Sequence, residues 1–153
     1  MRITGEVTAA LLFLLLAPRA GAEAFQIDIA QPRLRVTNQQ DMRFHCRSAK
    51  HVEGCTEFLG ELLAARCERR ETGWHIAAVV RFIPYVYVIS PALVAHEQLH
   101  LDDMTQQLQT FLADLTSRSF PDEGSCRTDA DFESAVFTLR MDVIRAESNR
   151  RLH

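Results

Sequence analysis

Residues 74–89, WHIAAVVRFIPYVYVI, are dominated by β-branched and aromatic side chains, and a helical pattern begins directly after them. Such a change of period, in a chain of 153 residues, calls for one compact α+β domain. Pro84 cannot donate to a ladder, so it implies an edge position, a bulge, or a break into two shorter strands. Ser90-Pro91 has the form of an N-cap followed by proline at the first helical position. The helix it opens is expected to run to Ser117, burying Leu101, Met104, Leu108, Phe111 or Leu112, and Leu115. A loop with Pro121 and Gly124 leads to a last helix, expected over 129–151. Thr128 would cap that helix, and Phe132, Val136, Leu139 and Val143 would form its inner face. Upstream, Phe25, Ile27 and Ile29, then Leu34 and Val36, alternate with other residues as one or two short strands. Residues 38–52 are polar and irregular. Between Gly54 and Arg70 the spacing of Cys55, Phe58, Leu59, Leu62 and Leu63 predicts a further helix. Glu57 and Glu61 come early and Arg66, Arg69 and Arg70 late, as a helix dipole favours.

The first residues have another character. Arg2, an apolar run over 7–17, Pro18 and the small residues of Ala20-Gly21-Ala22 match a secretory leader cleaved after Ala22. The run is shorter than the roughly 20 residues of a membrane span, and no stable anchor is expected after cleavage. The domain is then 23–153, in a secreted or periplasmic setting, with 15 basic against 19 acidic residues. That balance, without a basic face, argues against nucleic acid as a partner.

In an oxidising compartment the four cysteines, Cys46, Cys55, Cys67 and Cys126, read as two disulfides. A metal cluster of His45, Cys46, His51 and Cys55 is the competing reading. If residues 54–70 are helical, Cys55 and Cys67 lie about 18 Å apart along its axis and cannot bond. Cys46 then pairs with one of them and Cys126 with the other.

The chemistry-bearing motif is His96-Glu97-Gln98-Leu99-His100. Two histidines four apart on a helix share a face and can grip one cation, most naturally Zn2+. Glu97 between them is placed to act as general base on a water polarised by that metal. Peptide-bond hydrolysis is the reaction this pattern serves, with a peptide or protein as substrate. An edge strand beside the helix could receive an extended peptide by main-chain pairing. The alternative is a non-catalytic periplasmic metal-binding or partner-binding protein.

A catalytic zinc takes three protein ligands. If the last two helices pack antiparallel with ends near Arg118 and Asp129, residues whose numbers sum to about 247 come level. His100 then faces Glu147, the expected third ligand. Glu133 would lie about 20 Å away. Asp131 and Asp103 are further candidates.

His96-Glu97-Gln98-Leu99-His100-Leu101-Asp102 resembles the HEQGHFD signature of a family of secreted bacterial zinc-dependent proteases. Ala146-Glu147-Ser148-Asn149 is similar to the centre of that family's downstream motif, YDxETxHG. Leu99 stands where the family has glycine, Ile144-Arg145 where it has Tyr-Asp, and Arg150-Arg151 where it has His-Gly. The resemblance covers about residues 74–153. It implies a zincin-like domain with a short sheet, a preceding helix, an active-site helix and an antiparallel C-terminal helix, and it places Glu147 on the family's glutamate.

Overall fold

A computed structural model describes residues 24–46 and 52–152. The expected leader and His51 lie outside them. The elements are β1 (Phe25–Ile29), β2 (Arg33–Val36), α1 (Gln39–His45), β3 (Gly54–Arg70), β4 (Gly73–Val88), α2 (Val94–Ser117) and α3 (Glu123–Leu152). A single 3-10 turn, Pro91–Leu93, precedes α2. The architecture is α+β, a small sheet with three helices.

β4 is the centre of the sheet. β3 pairs with it antiparallel along nearly its whole length, and β1 and β2 lie end to end, parallel, on its other side. β4 therefore runs unbroken through Pro84 in the middle of the sheet. β1 leaves β4 at Phe82 and β2 joins it at Tyr85. Pro84 sits opposite that gap, so its missing N–H removes no bond to β1 or β2.

The helix expected over 54–70 is instead the strand β3. The apolar spacing misled because apolar residues stand on both faces of this strand, ahead of a register shift between Leu62 and Ala64. Phe58 and Leu62, then Ala65 and Cys67, pack against the core, whereas Leu59 and Leu63 are exposed. Leu, Glu, Ala and Arg favour helix locally, but pairing with β4 overrides that preference. The turn back into β4 uses Gly73 at φ +131°, a conformation open to glycine and strained for other residues.

α2 and α3 pack on one face of the sheet. Leu101, Met104, Leu108, Leu112 and Leu115 of α2 form the expected stripe over Ile76, Val80 and Phe82. Ser90 caps the 3-10 turn through Ala92 N–H at 3.4 Å. α3 begins earlier than expected, with Asp122 Oδ1 accepting from Ser125 N–H at 2.8 Å. That bond, with a second from the Ser125 hydroxyl, holds the Asp122 carboxyl below its usual value. Thr128 lies inside the helix and donates to the Gly124 carbonyl. The inner face of α3 is Cys126, Ala130, Phe137, Met141 and Ile144, while Phe132, Leu139 and Val143 are more than half exposed. α3 thus carries two apolar stripes, and periodicity alone does not distinguish which one faces inward.

Both disulfides form: Cys46–Cys55 and Cys67–Cys126. Cys55 and Cys67 are indeed unbonded to each other, because an extended strand separates them by about 40 Å. With Cys46 and Cys55 joined, the metal-cluster reading of that segment fails. The first bridge ties the end of α1 to the start of β3, and the second ties the far end of β3 to α3. The polar stretch before β3 also holds α1, capped by Asn38 Oδ1 on the Gln40 and Asp41 N–H groups. Among the described residues no helix is long and apolar enough to cross a membrane.

Candidate functional site

α2 carries His96, Glu97 and His100 in its first two turns. The helical rise places the imidazoles of His96 and His100 edge to face, with ring centroids 5.1 Å apart. A tetrahedral zinc at about 2.1 Å from one nitrogen of each ring would set the centroids about 5 Å apart. The spacing of the rings is compatible with a shared cation. His96 is half-buried and His100 is buried.

Glu97 projects toward the sheet and is buried. The Thr56 hydroxyl lies 2.9 Å from Glu97 Oε2 and 3.0 Å from the Glu97 backbone carbonyl, its single proton serving one at a time. Oε1 lies against the backbone of Gly54, where an added Cβ would collide with it. The start of β3 thus forms the seat of this carboxylate. Glu97 in the first turn of α2 also meets the favourable end of the helix dipole.

His100 is oriented from α3. Ser148 Oγ lies 3.3 Å from His100 Nδ1 and 3.4 Å from the His100 carbonyl. With the hydroxyl proton directed to the carbonyl, Oγ accepts from Nδ1–H. That tautomer leaves the lone pair on Nε2, the arrangement found where an imidazole serves as a metal ligand.

The antiparallel helix pair follows the expected register closely. Ser148 is level with His100, and the rings of Phe111 and Phe137 meet further along, a pairing sum of 248 against the expected 247. Glu147 lies one residue from the level position. Its carboxylate is 3.5 Å from Arg150 and 3.6 Å from Arg151, and it lines a groove on the outer side of the helix pair. Glu133 is at the far end of the pair, buried between Arg118 and Arg140. Burial works against the Arg118 cation, but hydrogen bonds to Glu133, Asp114 and Asp129 outweigh it and hold the guanidinium above its usual range. Asp103 bonds Gln107 and Arg151, and Asp131 is exposed.

Among the described residues, no group of three histidine, cysteine or acidic side chains is assembled to hold a metal. The fold brings the His96 and His100 rings together and seats the Glu97 carboxylate on the start of β3, while Glu147, Glu133 and Asp103 bond arginine or glutamine side chains and Asp131 is exposed. Sequence reasoning missed Gly54, Thr56 and Ser148. The helix-pairing register pointed within one residue of Ser148. Nothing in a segment read as helix could reveal the seat made by Gly54 and Thr56.

Tyr85 and Tyr87 stack on one another, with Tyr87 also against His45, on the sheet face away from α2. His75 is buried at the hairpin end, 2.8 Å from Thr72 Oγ1, and its Nδ1 has no hydrogen-bond partner among the described residues. None of the three adjoins the histidine pair. No protein-family model, curated protein or solved structure matches the chain.

Proposed function

We propose that the chain is a secreted zinc-dependent peptidase of zincin type, in which His96 and His100 hold the metal and Glu97 is the general base. The observation that carries this reading is the imidazole pair at 5.1 Å on the helix turn that also carries the buried Glu97. Zinc bound there would supply Lewis acidity, lowering the pKa of water toward 7. The Glu97 carboxylate takes the proton of the attacking water and returns it to the nitrogen of the departing amine. Thr56 and Gly54 fix its position, and Ser148 fixes the face that His100 presents.

Glu147 completes the ligand set in this proposal. Its present partners are ion pairs to Arg150 and Arg151, whose side chains are 75% and 53% exposed. Exchanging these two screened pairs for a cation costs about 0–2 kcal/mol. The substrate is a peptide in extended form. β3 pairs with no strand other than β4 among the described residues, so its open edge, which starts beside Glu97, can add a strand by main-chain hydrogen bonds. The two disulfides and the leader pattern of residues 1–22 support an exported protein.

A second reading, a metal-binding module without hydrolysis, is favoured by one observation: Glu97 is engaged by Thr56 and turned toward the sheet. Comparing zinc-loaded wild type with Glu97→Gln on a peptide library separates the two. The peptidase reading expects zinc retained and hydrolysis lost. Hydrolysis unchanged by the substitution would move the base elsewhere. Zinc bound by a wild type that cleaves nothing would favour the module.

A further inference from the structure

The side of the α2–α3 pair that faces away from the sheet is open and apolar. A groove of about 710 Å³ runs along it, floored by Phe111, Val136 and Ile144 and flanked by Phe132, Leu139 and Val143. Phe132, Leu139 and Val143 are 57%, 65% and 55% exposed, although the helix has a complete inner stripe of its own. Along the sequence, Phe132, Val136, Leu139, Val143 and Ala146 are spaced four, three, four and three apart. That is the alternation of a seam between two helices.

We propose that a second copy of this chain covers this face, with the two α3 helices antiparallel about a two-fold axis near Leu139. Three observations select this occupant. The first is charge. α3 carries Asp129 and Asp131 near its start and Arg150 and Arg151 at its end, so an antiparallel mate sets acidic end against basic end at both ends of the seam. A parallel mate would set like against like. The second is shape. An axis at Leu139 places Val136 opposite Val143 of the second copy, and bulky Phe132 opposite its small Ala146. The third is area. α3 has 30 residues and α2 has 24. At about 1.5 Å per residue and 10 Å width, their outer faces offer about 800 Å² per copy, one side of a standard stable interface. The product is two helix pairs packed between two sheets.

The test is the mass of the full chain, purified as exported, by sedimentation equilibrium at micromolar concentration. Twice the monomer mass is expected, falling to the monomer mass for Leu139→Glu and for Val143→Glu. Both sites are exposed in the monomer, so circular dichroism should not change, and the thermal midpoint of the variants should no longer rise with protein concentration. Leu139→Cys should form a disulfide-linked dimer on mild oxidation and Phe132→Cys should not. The four native cysteines are already bonded and cannot compete. A monomeric wild type would overturn the proposal, as would a dimer that survives both glutamate variants. Cross-linking of Phe132→Cys to itself would show a parallel arrangement and overturn the antiparallel one. Binding of a monomer to lipid vesicles, lost in Leu139→Glu, would assign the face to a membrane surface instead.

Discussion

Removing the two disulfides separately should have unequal and separable effects. Cys67–Cys126 closes a loop over a sequence separation of 59, and Cys46–Cys55 over one of 9. In the chain-entropy model the first constrains the unfolded chain by about 4.2 kcal/mol and the second by about 2.6 kcal/mol at 25 °C. For a domain of roughly 130 residues, the unfolding entropy is about 270 cal/mol/K near the midpoint. Cys67→Ala/Cys126→Ala should then lower the thermal midpoint by about 15 °C and Cys46→Ala/Cys55→Ala by about 10 °C. Paired substitutions avoid stray thiols. The second bridge also joins β3 to α3 across the core, whereas the first holds the end of β3 from which Gly54 and Thr56 seat Glu97. The short-loop variant should therefore lose more hydrolysis per degree of lost stability. Calorimetry and peptide cleavage measured on the same samples test both statements. A larger loss of stability for the short-loop pair, or cleavage falling only in step with stability in both, would refute the reasoning.

Gly54→Ala should cost about 1–3 kcal/mol, because the new methyl collides with the buried Glu97 carboxylate, and it should reduce hydrolysis further by displacing that carboxylate. Denaturant melts and cleavage assays read the two effects, and a variant normal in both would contradict the packing described. Ser148→Ala should raise the dissociation constant for zinc by about tenfold while moving stability by about 1 kcal/mol. Competition with a chromophoric chelator gives the first number, and unchanged affinity would remove Ser148 from the site.

What the sequence made legible follows periodicity that tertiary contacts do not override. α2 was readable from the Ser90-Pro91 start and one unambiguous stripe, and so was its antiparallel pairing with α3, since a short connection leaves few other arrangements. β3 was not, because exposed Leu59 and Leu63 beside inward Phe58 and Leu62 give an apparent helical period, and only β4 supplies the partner that makes it a strand. The inner face of α3 was hidden by its second stripe, whose larger residues, Phe132, Leu139 and Val143, look more core-like than Ala130 or Cys126. Within the candidate site, His96, Glu97 and His100 are legible as a local spacing on one helix. Thr56 and Ser148 act from 41 and 48 residues away, a distance that no local pattern spans.

The central claim is that His96 and His100 share one zinc. The most direct measurement is elemental analysis of the exported protein, purified without chelator, alongside His96→Ala, His100→Ala and Glu147→Ala. The account predicts about one zinc per chain in the wild type, none with either histidine replaced, and binding weakened by orders of magnitude without Glu147. Absence of zinc from the wild type both as purified and after zinc is added would contradict it.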